Sequence, residues 1–158
     1  PNIITVGVAG MNFTSVKFAI DSIVDASSTN RYMINIHPGI YVEEEITLKQ
    51  YIYIYGCGPS VTYIQANAST DTIITAASYC SLNNLCVIGA SGTGGIGINA
   101  SNITKFIIDN CDIEDCTTLI KCIATTVNTD LQISSCIFYG SHVTCFDFDG
   151  TNSFILVG

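Results

Sequence analysis

The stretch Leu82-Asn83-Asn84-Leu85-Cys86-Val87 returns as Ile108-Asp109-Asn110-Cys111-Asp112-Ile113 and again as Ile133-Ser134-Ser135-Cys136-Ile137-Phe138. The copies follow one another at a step of roughly 25 residues, and self-similarity at such a period marks a chain built of stacked units. An earlier copy, Ile54-Tyr55-Gly56-Cys57, starts one slightly longer step before Leu82, and a later one starts at Leu156. Each copy is entered by a strand whose apolar positions are two apart: Ile52 and Ile54, Cys80 and Leu82, Phe106 and Ile108, Leu131 and Ile133, Phe154 and Leu156. Period-two alternation belongs to a strand with one buried face. A small or polar residue follows (Gly56, Asn84, Asn110, Ser135), as a sharp bend requires. A second short strand then carries Leu85 and Val87, Cys111 and Ile113, Cys136 and Phe138.

A third strand recurs with inward positions Thr72 and Ile74, Ile96 and Ile98, Ile120 and Cys122, Val143 and Cys145. Within it Ile74, Ile98, Cys122 and Cys145 follow at a nearly constant step. Three strands per period, each in register with its copy one period later, predict an all-β chain wound as a three-sided parallel β-helix. A β-sandwich also alternates, but it does not hold three registers over successive copies. At roughly 4.8 Å of rise per coil, about five coils make a rod on the order of 25 Å long. Cys57, Cys80, Cys111, Cys122, Cys136 and Cys145 fall on inward positions, which predicts buried thiols packed as small hydrophobes rather than a disulfide framework. That usage points to a reducing compartment. Cys86 and Cys116 lie off the inward pattern and are expected to be partly exposed.

The chain of 158 residues is about one domain's length. Apolar residues make up 48% and charged residues 11%, with 13 Gly and 3 Pro, which excludes a disordered tail, a collagen-like repeat and a charged coiled coil. The mean hydropathy of +0.45 is spread over short strands. No apolar run approaches the roughly 18–20 residues that span a bilayer. Five Lys and Arg against 13 Asp and Glu leave a net charge of −8. Scattered cations make no basic stripe, so neither nucleic acid nor an anionic membrane is an expected partner. Val16, Ala19, Ile20 and Ile23 follow helical spacing within 14–25, with Thr14 or Ser15 as N-cap. Such a helix covers the open end of a β-helix. Residues 1–31 therefore read as an N-terminal strand and capping helix, and 32–158 as the coils of one domain. With Pro1 at the start and Phe154-Ile155-Leu156-Val157 at the end, a fragment of a longer chain is expected.

These features resemble the pectin-lyase-like superfamily of right-handed parallel β-helices. The column Asn84, Asn110, Ser135 resembles that superfamily's asparagine ladder at the bend between two sheets. The opening third is more specifically similar to the start of a pectinesterase-type domain. It carries Ile4-Thr5-Val6-Gly7, Phe13-Thr14-Ser15 with Ala19-Ile20-Asp21, and Ile34-Asn35-Ile36-His37-Pro38-Gly39-Ile40-Tyr41-Val42-Glu43, whose last five residues spell G-x-Y-x-E. Tyr55-Gly56-Cys57-Gly58-Pro59 matches the following G-x-G-P turn. The resemblance implies a right-handed helix and a backbone-bonding role for Glu43 within the run Glu43-Glu44-Glu45.

The chemistry of such enzymes is not carried over. Pectinesterases use paired Asp residues, Gln oxyanion donors and an Arg. Here only Phe146-Asp147-Phe148-Asp149-Gly150 is faintly similar to one motif, Gln50, Gln65 and Gln132 stand outside motif context, and Arg31 is the sole Arg. Asp147 and Asp149 alternate on one strand, and a carboxylate pair can frame a glycosidic bond. They are the weak catalytic candidates. Asp109, Asp112, Glu114 and Asp115 form the densest acidic cluster and are the weak Ca²⁺ candidates, since hard cations take oxygen ligands. No Arg or Lys base accompanies them, and a solvated acidic loop is the plainer reading. His37 and His142 are isolated, and Gly92-Thr93-Gly94-Gly95 reads as a turn rather than a phosphate loop. The sequons at Asn12, Asn67, Asn99 and Asn102 matter only in a secretory pathway.

The expectation is a non-catalytic structural or attachment module of a virion component (capsid-associated, fibre or tailspike-like), assembled in the cytoplasm. Its partners would be further copies, a trimer among them, or other structural subunits, with no cofactor required. Tyr51, Tyr53 and Tyr55, set opposite Ile52 and Ile54, offer a face for a glycan or a partner. The alternative is an extracellular polysaccharide-active enzyme, lyase or esterase, acting on an acidic polymer.

Overall fold

The computed structural model describes the backbone of residues 2–140 and 142–157 and, outside 126–128 and 151–157, their side chains. The chain opens with β1 (Asn2–Val6) and α1 (Val16–Ser22). A first coil follows as β2 (Tyr32–Ile36), β3 (Gly39–Glu43) and β4 (Ile46–Thr47), and a second as β5 (Ile52–Tyr55), β6 (Thr62–Ala66) and β7 (Thr72–Thr75). The third is β8 (Cys80–Asn83), β9 (Cys86–Ile88) and β10 (Ile96–Asn99). β11 (Phe106–Asp109) and β12 (Asp112–Glu114) begin the fourth, which runs into β13 (Thr118–Ser134). β13 turns a corner without breaking, and β14 (Ile137–Tyr139) and β15 (Thr144–Val157) continue the winding. No helix among the described residues is long and apolar enough to cross a membrane.

All the strand pairings are parallel, and like residues lie on like. On the first face the inward column is Ile34, Ile54, Leu82, Ile108, Ile133. On the second it is Tyr41, Ile64, Val87, Ile113, Phe138. On the third it is Ile46, Ile74, Ile98, Ile120, Phe146. The aliphatic members are buried, each worth roughly 1.5–3 kcal/mol relative to exposure. At the later end Phe138 and Phe146 are half-buried and meet edge to face, with centroids 4.9 Å apart. Ile108 sits between Leu82 and Ile133, as the repeat predicts. Phe154 and Leu156 register with Leu131 and Ile133, but their side chains lie outside those described.

Sharp bends join the first and second faces through left-handed residues: Asn84 (φ 56°), Asn110 (φ 49°) and Ser135 (φ 52°). Asn tolerates this region because its short polar side chain bonds locally. Asn110 Nδ2 donates to Asn84 Oδ1 at 2.7 Å, so the expected ladder is present. At the equivalent bend Gly56 is required by contact, since a Cβ there would run into the Asn84 carbonyl oxygen.

The third-face register departs from expectation. The predicted column ran Ile74, Ile98, Cys122, Cys145, whereas Ile98 pairs with Ile120 and Ile120 with Phe146. Cys122 is displaced by an even step and stays buried. Cys145 lies an odd step from Cys122's partner Phe148, so Cys145 is only half-buried, and Val143 is exposed. Cys57 is exposed rather than inward. An inserted turn after β5 lets Thr62, fully buried, take its place in the core column, and Cys57 N–H donates to Thr62 Oγ1 at 3.0 Å. Cys86 and Cys116, expected to be partly exposed, are fully buried. Cys86 faces outward from β9 but lies between Tyr63 and Asp112 and donates to Glu114 Oε1 at 3.0 Å, while Cys116 is enclosed at the corner before β13 and donates to the Glu114 carbonyl at 3.2 Å. All eight cysteines are thiols.

Ser15 is the N-cap of α1, accepting from Phe18 N–H at 3.2 Å, and Val16, Ala19 and Ile20 are buried. The helix packs on strands β1 to β4. Lys49 holds its other end, donating from Nζ to the carbonyls of Ile20, Asp21 and Ile23 at 3.0, 3.0 and 2.7 Å.

Candidate functional site

The outer side of the first face carries the most distinctive surface. Strand β5 presents Tyr53 and Tyr55 outward, in register with Met33 and Asn35 on one side and Ser81 and Asn83 on the other. Tyr51 precedes the strand and is not in that row. It occupies the corner in a left-handed conformation (φ 64°), and its ring stacks on Tyr79 one coil away, with centroids 5.4 Å apart and planes 5° from parallel. Tyr79 (φ 61°) and Lys105 (φ 57°) continue the corner column. Bulky residues with positive φ are outliers. The other corner uses Asn and Ser for the same backbone shape, so this one carries Tyr, Tyr and Lys against local preference, a pattern associated with functional surfaces.

Two hollows adjoin at Arg31 and Tyr53, the smaller of them bounded by this column. One of about 650 Å³ is bounded by the 28–31 loop, Met33, Tyr53 and Tyr55, and one of about 200 Å³ by Tyr51, Tyr79, Lys105 and Ile107. Arg31 and Tyr53 line both, making one groove across several coils. The loop bearing Arg31 is held in place: Asn30 Nδ2 donates to Asp25 Oδ2 at 2.9 Å, and Tyr32 Oη donates to Asp25 Oδ1 at 2.6 Å. The Asp25 carboxylate holds the Tyr32 phenol above its ordinary pKa. Arg31 Nε donates to the Ser28 carbonyl at 3.1 Å.

The acidic residues singled out in the sequence are not gathered into one site. Asp109 lies on the outer side of β11 and accepts from Ser134 Oγ at 2.5 Å. Asp112 and Glu114 share the outer side of β12, where burial and the neighbouring Glu114 raise the Asp112 pKa. Glu114 is buried against Cys86. Asp115, in the following turn, faces His142 at 2.8 Å. Among the described residues no group of three or more His, Cys, Asp or Glu side chains is placed to hold a metal. Asp147 and Asp149 share the outer side of β15, in register with Lys121 and Ile123, and Asp149 Oδ1 accepts from Gly150 N–H at 2.7 Å. Neither lines the tyrosine groove.

Sequence reasoning missed Arg31, Tyr79 and Lys105. A signal was there: Tyr51, Tyr79 and Lys105 recur at the period of the core columns.

No protein-family model and no curated protein matches the chain. Solved structures do. Pectin methylesterase from carrot is similar over 99% of this chain and 50% of its own, with a TM-score of 0.70 and 17% identity. Pectin methylesterase PemA from Erwinia chrysanthemi is similar over 90% of this chain and 56% of its own, with a TM-score of 0.60 and 14% identity. A pectin methylesterase in complex with a hexasaccharide covers 89% and 56%, with a TM-score of 0.62 and 15% identity. The chain thus spans about half the length of these enzymes and has the pectin-lyase-like right-handed β-helix fold. At such identities the likeness establishes the fold alone.

Proposed function

We propose that this β-helix is a non-catalytic attachment module that contacts glycans through the groove of Tyr51, Tyr53, Tyr55 and Tyr79. The observation that carries the reading is the corner column, in which bulky residues occupy left-handed backbone and stack in parallel one coil apart. An aromatic face with a hydroxyl tip suits a sugar, whose ring has an apolar C–H side and a polar rim. Rings fixed by neighbours lose little freedom on binding, which favours affinity. An attachment role in a fibre or capsid-associated assembly extends this proposal to partners of the same architecture.

A second reading, a polysaccharide esterase or lyase, is favoured by the fold shared with pectin methylesterases. Asp147 and Asp149 would carry that chemistry. Calorimetry against a panel of neutral and acidic oligosaccharides, run beside turnover assays on pectin, polygalacturonate and alginate with Ca²⁺, separates the two. Binding without turnover, weakened by Tyr79→Ala, is expected. Turnover abolished by Asp147→Asn would replace the attachment reading with the enzymatic one.

A further inference from the structure

Resting on the glycan-contact reading, the geometry points to a more specific ligand: we infer that the groove takes a glycan bearing an anionic substituent, a carboxylate or a sulfate, seated between Arg31 and Lys105. The chain carries a net charge of −8 and only five Lys and Arg, yet two of those cations line this groove. Two of the others are engaged by the protein, and the third lies elsewhere. Lys17 pairs with Asp21 at 3.6 Å and Lys49 donates to three carbonyls at the end of α1, while Lys121 lies on β13 away from the groove, its backbone in register with Asp147. Arg31 and Lys105 make no ion pair among the described residues, and no carboxylate lines either hollow.

In an acidic protein this leaves a local positive site surrounded by repulsion, so an anion that approaches the rod is drawn to the groove. Arg31 enters from a loop already pinned through Asp25 and Asn30, with its Nε on the Ser28 carbonyl, so its remaining donors are directed with little loss of freedom. Lys105 extends the tyrosine column, placing a cation at the end of an aromatic shelf. The pairing of shelf and cations matches a sugar unit with its ring against Tyr79 and Tyr53 and its charged group held by charge-assisted hydrogen bonds.

The test compares neutral dextran oligosaccharides, carboxylated oligogalacturonates and sulfated dextran oligosaccharides by titration calorimetry on the whole chain. Anionic series are expected to bind about tenfold more tightly than neutral ones, the value of one charge-assisted hydrogen bond. Raising salt from about 50 to about 300 mM should erase most of that preference, since the screening length falls. Arg31→Gln with Lys105→Gln should weaken the anionic series about tenfold more than the neutral one and so remove the preference, and Arg31→Glu should invert it. Both positions are exposed, and circular dichroism checks folding. Preference for one anionic series alone supports the inference and names the group. Equal binding of neutral and anionic sugars overturns it while the glycan reading stands. No binding of any sugar overturns both.

Discussion

The carboxylate of Glu43 accepts the backbone N–H of Val16 at 2.6 Å and the hydroxyl of Ser15 at 2.8 Å, so the first coil holds the start of the capping helix from a full coil away in sequence. An exposed Glu would contribute little. This one is 5% exposed and satisfies an amide that the first helical turn leaves without an intrahelical partner.

Replacing Glu43 by Ala should therefore cost about 2–3 kcal/mol, the penalty for leaving buried donors without a charged acceptor, while Glu43→Gln should cost less. Urea unfolding measures both. A loss under about 0.5 kcal/mol, the range of ordinary surface changes, would mean the helix holds itself in place.

Asn110 combines a left-handed backbone with a side-chain bond to Asn84. Asn110→Ala should cost about 1–2 kcal/mol in backbone strain, plus the lost bond. Asn110→Gly relieves the strain and loses only the bond, so it should be the milder change. Thermal denaturation of the two variants gives the order, and the reverse order would refute the ladder's role.

Cys111 is fully enclosed, whereas Cys57 is exposed. Cys111→Ser should destabilise by about 1–3 kcal/mol through burial of a hydroxyl. Cys57→Ser, on the surface, should stay within about 0.5 kcal/mol. Chemical denaturation of the pair checks the contrast, and an equal loss at both positions would place Cys111 outside the core column.

Burial pushes the Cys80 thiol up to about 11 and the Cys111 thiol up to about 12, from an ordinary value of 9.0. Their folded-state pKa values are raised, so the neutral form is the one the fold protects. The stabilisation is complete below pH 9 and is lost as pH climbs through 11 and 12, because the unfolded chain releases these protons first. Stability should fall between those limits by on the order of 2 kcal/mol or more. Cys80→Ala and Cys111→Ala should flatten the profile. Unfolding curves that do not change from pH 9 to pH 11 would show that the thiols are not desolvated.

Much of the fold was legible because a parallel β-helix writes its contacts into the sequence at a nearly constant interval. Ile54, Leu82, Ile108 and Ile133 were found by spacing and do stack. Spacing failed where coil length changes. The step from Ile98 to Ile120 is shorter than that from Ile74 to Ile98, and the step from Ile120 to Phe146 is longer, so a fixed interval slides off the column. The site was less legible for a related reason. Apolar alternation marks the strands, whereas Tyr51, Tyr79 and Lys105 recur with the same period at a corner, where no such alternation accompanies them. Arg31 lies on a loop before the first coil and belongs to no repeat, so only folding brings it to Tyr53.

The amino-acid order alone determined the winding, the three faces, the bend residues and the helix at the start, because each depends on hydrophobic period or local backbone preference. The tertiary structure alone decided that the loop bearing Arg31, which belongs to no repeat, closes against Tyr53 beside the corner column, since such a loop becomes a neighbour of the coils only once they have stacked about 4.8 Å apart. It also decided the state of individual cysteines. Whether a thiol such as that of Cys86 meets water depends on the side chains on the coils above and below it, and a period in the sequence does not specify their bulk.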